Sequence, residues 1–98
     1  MKYIFILART LDKYHQGVQH TLPGLERYHG IKFNKKGQDY VSDKYVIKPA
    51  LRREQVLGFY NWQLIKFADY WENPEAVEIE QEHQIDIARR KAPSVGQD

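Results

Sequence analysis

Ninety-eight residues with no cysteine among them allow one hydrophobic core and exclude disulfide staples, thiolate metal sites and a cysteine nucleophile. The formal net charge is only +2, far from the balance of a strongly basic nucleic-acid binder. It is unevenly spread: residues 1–71 carry twelve Lys and Arg against six Asp and Glu, a balance of +6, whereas residues 72–98 carry three against seven, a balance of −4.

The chain opens with a continuous apolar run, Tyr3 to Ala8, before Arg9. Six such residues are too few for a signal-peptide core or a membrane span, and they read as a central strand covered on both faces. Thr10 is a plausible N-cap. Leu11, Tyr14, His15, Val18 and Leu22 then recur at helical spacing, so a helix is expected over 11–22, stopped by Pro23-Gly24. Gly17 in its middle costs about 1 kcal/mol relative to Ala and suggests close packing on the sheet.

Ile31-Lys32-Phe33 alternates as a short strand would. Asn34 to Gly37 reads as a turn, Asp39 to Val41 as a second strand, and Ser42-Asp43 as its end. Tyr45-Val46-Ile47 is β-rich but runs into Lys48-Pro49, which leaves strand and loop both open. Pro49 to Leu57, closed by Gly58, has the Pro-first, Gly-last form of a short helix, with Leu51, Val56 and Leu57 turned inward. Gln63 to Asp69 reads as the last strand. Asn73-Pro74-Glu75 starts a helix expected to run to about Arg90, where Arg89, Arg90 and Lys91 meet its negative end.

This order predicts one α/β domain over residues 1–92, with 93–98 as a tail. Its architecture would be an open, mostly parallel sheet of three to four strands with helices packed on it, a minimal Rossmann-like arrangement. The segments ILARTLDKYHQGV, DYVSDKYVIKPALRREQVLG and YWENPEAVEIE, in that order, resemble small α/β proteins encoded in bacteriophage genomes, which look like motif-stripped relatives of Rossmann-like and P-loop folds. The resemblance covers most of the chain and carries over no functional residue. It implies an accessory or host-interacting protein rather than a metabolic enzyme.

Four places invite function. At the first strand–helix turn, Arg9, Thr10 and Lys13 could cradle a phosphate on a helix N-terminus, although no glycine-rich loop is present and Asp12 would oppose an anion. Lys32, Lys35, Lys36, Lys44, Arg52 and Arg53, interleaved with Phe33, Tyr40 and Tyr45, have the residue types that single-stranded nucleic acid requires. The same lysines would also guard an edge strand. His15 and His20 are five apart, which is wrong for one helical face, and Ser42-Asp43 lacks an oxyanion hole, so neither a metal site nor catalytic residues are assigned. Trp62, Tyr70 and Trp71, with Ile85 on an acid-rich helix, suit an interface.

The leading expectation is therefore a cytoplasmic protein-interaction module with no cofactor and no membrane contact. Its partner would be a host or phage protein, or a second copy of the chain. Nucleotide or nucleic-acid binding through the Arg9 turn or the Lys-rich region is the alternative.

Overall fold

A computed structural model describes residues 1–91 of the chain; the expected tail, 93–98, lies outside the described residues. The strands are β1 (Lys2–Leu7), β2 (Asn34–Lys36), β3 (Asp39–Val41), β4 (Tyr45–Ala50) and β5 (Gln63–Lys66), and the helices are α1 (Leu11–His29) and α2 (Ala76–Lys91). They form an open five-stranded sheet in the order β2-β3-β4-β1-β5.

β1 lies between β4 and β5 and runs parallel to both. Its alternating side chains feed two cores. Ile4, Ile6 and Ala8 pack with Tyr14, Val18 and Ile47 on the α1 side. Phe5 and Leu7 pack with Ala50, Val56, Trp62, Ala76 and Ile79 on the α2 side. A strand covered on both faces has no room for polar alternation, which is why its sequence is unbroken.

The sheet corrects the expected architecture. It has five strands rather than three or four and is mixed rather than mostly parallel, because β2 pairs antiparallel with β3, and β3 with β4. Ile31–Phe33 is not a strand. The Phe33 amide donates to Glu26 Oε2 at 3.1 Å, which ties residue 33 to α1 and delays pairing to Asn34. The segment 34–37 is then mostly strand, and the turn falls on Gly37-Gln38, with Gly37 at φ 62°, the conformation a two-residue hairpin asks of its first central residue.

Two proline readings are also corrected. α1 does not stop at Pro23; it continues to His29 and ends on Gly30, at φ 64°, whose amide donates to Glu26 O at 2.9 Å. Pro23 removes one hydrogen bond to Gln19, but both residues are exposed and water can serve the freed carbonyl. Leu22 and Leu25 meanwhile pack against the core and carry the apolar stripe past the proline. Pro49 opens no helix. It sits in β4 opposite Ile6, beyond the last residue pairing with β3, so its missing amide costs no bond on that side.

Only a 3-10 turn, Arg53–Gln55, forms after β4, and Gln55 Oε1 bends the chain by accepting from the amides of Leu51 (2.7 Å) and Arg52 (2.9 Å). Val56 is buried there, but Leu57 is exposed. β5 ends at Lys66 rather than Asp69 because Ala68 takes φ 53°, a left-handed conformation that costs an L-residue about 1–2 kcal/mol.

Gly17 faces the sheet. A Cβ there would stand 3.0 Å from Phe67 Cγ and 3.2 Å from both Phe67 Cβ and Ile6 Cγ2, atoms close to their own backbones. Gly17→Ala gains about 1 kcal/mol of helix propensity but overpacks this contact. We expect a net loss of about 1–2 kcal/mol in urea unfolding.

Candidate functional site

The carboxyl ends of the parallel strands are where ligands sit in open α/β sheets. Here Thr10 caps α1, its Oγ1 accepting from the Lys13 amide at 3.2 Å, and Arg9 stands beside it. The Arg9 guanidinium is held by Asp69 Oδ2 at 3.0 Å and Glu72 Oε2 at 3.2 Å. The gap between strand ends is filled from within: buried Asn73 donates through Nδ2 to Ala8 O (2.8 Å) and Leu51 O (3.0 Å), and its Oδ1 accepts from the Glu75 amide at 2.8 Å. One carboxamide thus joins the ends of β1 and β4 to the start of α2. The arrangement presents two carboxylates and a structural amide where an anion cradle would need free donors.

The basic residues do not share a track. Lys35 and Lys36 alternate across β2, at one edge of the sheet, and Lys35 Nζ donates to Gly37 O at 2.8 Å. Lys32 lies in the link from α1 to β2, and Lys44 in the turn before β4. Arg52 and Arg53 lie at the opposite, carboxyl end of β4. Arg52 pairs with Glu54 at 3.4 Å and Arg53 with Glu82 at 3.0 Å. Together they line a hollow of about 540 Å³ that also holds Glu75 and Glu78, so acids outnumber bases in it.

The histidine cluster is a tether. His15 Nε2 donates to Gln38 Oε1 (2.7 Å), leaving Nδ1 to accept from the Tyr40 hydroxyl (2.8 Å). Tyr14, fully buried, donates to Gln38 O, and burial pushes its hydroxyl far above the ordinary tyrosine value. These bonds fasten α1 to the hairpin. Among the described residues, no group of three or more His, Cys, Asp or Glu is placed to hold a metal ion.

Of the expected interface residues, Trp62 is 1% exposed, with Phe5 and His83 against its ring at 5.1 and 4.9 Å. It is core, because β1 needs a large apolar cover on its α2 face. Tyr70 is half-buried beneath Lys66. Trp71 and Ile85 are exposed, at 67% and 46%.

Sequence reasoning missed the groove between β5 and α2. Two adjoining hollows of about 440 and 480 Å³ share Leu64 and His83. The first adds Lys66, Val77 and Glu80, and the second Ile87 and Arg90. β5 is also an edge strand. In a parallel ladder alternate residues bond to each side. The Phe67 amide donates inward to Leu7 O at 3.0 Å, so the amides and carbonyls of Leu64 and Lys66 face outward. The spacing of Val77, Glu80, His83, Gln84, Ile87 and Arg90 marks this stripe in the sequence, but only the sheet order shows that it borders an open edge.

Two outcomes follow from these contacts. Asn73→Ala strands the buried carbonyl of Ala8 and the half-buried one of Leu51 and removes the turn bond to the Glu75 amide, and should lower stability by about 2–4 kcal/mol in chemical unfolding. His83 is held below its ordinary value of 6.5, first by burial and then by Arg90, against smaller opposing effects of Asp86 and the Trp62 backbone. Since the unfolded chain then takes up the proton first, stability is full above the ordinary value, falls as pH drops through it, and levels off below the folded-state value. Unfolding midpoints between pH 8 and 5 should show this slope, and His83→Gln should flatten it.

Comparison with protein-family models, curated proteins and solved structures found no match to this chain.

Proposed function

We propose that this chain is a protein-interaction module that takes an extended segment of its partner as an added strand along β5. The carrying observation is the coincidence of an open edge, with outward groups on Leu64 and Lys66, and the groove beside it lined by Leu64, Val77 and Ile87. Main-chain bonds to the edge supply affinity, and alternate side chains entering the groove supply selectivity. The resemblance to phage-encoded proteins suggests a host or phage protein as that partner, a second copy of this chain included, met in the cytoplasm. Among the described residues no helix is long and apolar enough to cross a membrane.

The other edge supports this choice. Two of the three residues of β2 are lysines, a composition that discourages strand addition. β5 offers Leu64 and Ile65, and its one lysine is drawn back to Glu80 at 3.2 Å. The nucleotide and nucleic-acid alternative gains no comparable support, since Arg9, Arg52 and Arg53 each face carboxylates.

The test is selection of displayed random decapeptides on the folded protein, followed by amide exchange. Selected peptides should slow exchange at Leu64 and Lys66 and leave β2 unchanged. Lys66→Pro deletes one outward donor while sparing the ladder to β1, and should weaken those peptides about tenfold or more; Lys66→Ala should change binding far less. Peptides that bind without protecting these amides would remove the proposal.

A further inference from the structure

We infer that the partner seated on β5 is a second copy of this chain, paired strand to strand about a two-fold axis at Ile65. The inference rests on the strand-addition reading above and names the occupant. Its register follows from what each edge leaves free. With Leu64 of one copy opposite Lys66 of the other, each pair exchanges both main-chain bonds, and the symmetry repeats the pair, so every outward group of β5 is used.

Neighbouring registers fail. With Lys66 opposite Lys66, two ammonium groups face each other and Leu64 meets Ala68, whose φ of 53° is not extended. With Leu64 opposite Leu64, Lys66 meets Trp62, which precedes β5 and whose carbonyl already accepts from Arg90 Nη2 at 3.5 Å. Only the Ile65-centred register avoids both.

The same register matches charge. α2 runs antiparallel to β5, since Glu80 reaches Lys66 and Arg90 reaches Trp62. On the flank that borders β5 it carries Glu80 toward its start and Arg90 toward its end, while Glu78 and Glu82 line the hollow beside Arg52 and Arg53. The two-fold turns one α2 end for end beside the other on the same face of the joined sheet, setting the Glu80 end of each copy toward the Arg90 end of its mate. On the opposite face the two Ile65 side chains meet as a close, non-hydrogen-bonded pair, in which apolar β-branched residues are favoured.

The chain has no cysteine, so a single introduced thiol reports the register. Opposed residues of a non-hydrogen-bonded pair have Cα atoms about 4.5 Å apart, within disulfide range. Ile65→Cys should therefore cross-link between copies under air oxidation on the order of tenfold faster than Gln16→Cys on the exposed side of α1. The unmodified protein should sediment as a concentration-dependent dimer, and Lys66→Pro should render it monomeric while it still unfolds cooperatively, with a melting temperature that no longer depends on concentration. Cross-linking of Ile65→Cys no faster than the control overturns the inference, as does a dimer that survives Lys66→Pro. If pairing of copies fails while Lys66→Pro still weakens selected peptides, the strand-addition reading stands and only its occupant is wrong. If peptide binding also ignores Lys66→Pro, both fall.

Discussion

Burial of β1 on both faces is the constraint from which the remaining structure follows. Ile4 to Leu7 are at most 2% exposed, and no single layer can cover two faces of a strand. One helix must therefore lie on each side, and β4 and β5 must flank it so that its amides and carbonyls stay paired away from water. The two cores share no side chain, yet they share this backbone. A change at Phe5 loads the α2 side directly and reaches the α1 side only through the strand, whereas a shift in the pairing of β1 would disturb both.

A chain this short and polar has little apolar surface with which to fix its connections, and it fixes them with side-chain oxygens instead. Gln55 accepts from Leu51 and Arg52, Glu26 from Phe33, and Glu75 from Arg53. Asp86 is the most buried of these acceptors: at 3% exposure it takes the amides of Asn61 (2.7 Å) and Trp62 (3.2 Å) and is paired with Arg90 at 3.2 Å. A carboxylate on two backbone amides makes charge-assisted bonds, roughly twice as strong as neutral ones. It pins the chain as it enters β5, and so determines where the open edge begins. Asn73 performs the corresponding task at the other end of the sheet.

These long-range acceptors explain which parts of the fold were legible in sequence. β1, the start of α1, β3 and α2 declare themselves through local signals: an unbroken apolar run, a Thr cap, alternation, and an Asn-Pro-Glu start with basic residues at the far end. The rest of the region from Leu25 to Leu57 does not, because its outcome depends on partners distant in the chain. Pro49 reads as a helix start until β1 is known to lie beside it. Ile31–Phe33 alternates like a strand, but Glu26 claims the amide of Phe33 first. Trp62 looks like an interface residue by type and belongs to the core by position. The candidate groove is hidden for the same reason: α2 reads as an acid-rich helix, and nothing local says which strand it would border.

The two edges of the sheet resolve what composition left open. The Arg9 turn and the basic residues from Lys32 to Arg53 suggest a nucleotide or nucleic-acid partner by type, but the lysines of β2 stand where unwanted strand pairing must be prevented, and Arg9, Arg52 and Arg53 are consumed by carboxylates. Much of the charge asymmetry is thus spent inside one molecule, between the carboxyl ends of the strands and the acids that follow Ala68. On the flank of α2 that borders β5, Glu80 near one end and Arg90 near the other stand beside the edge that carries apolar residues. Charge that is balanced internally stabilises a fold. Charge laid out in order along an open edge selects what may join it, and the order here is complementary to itself when reversed.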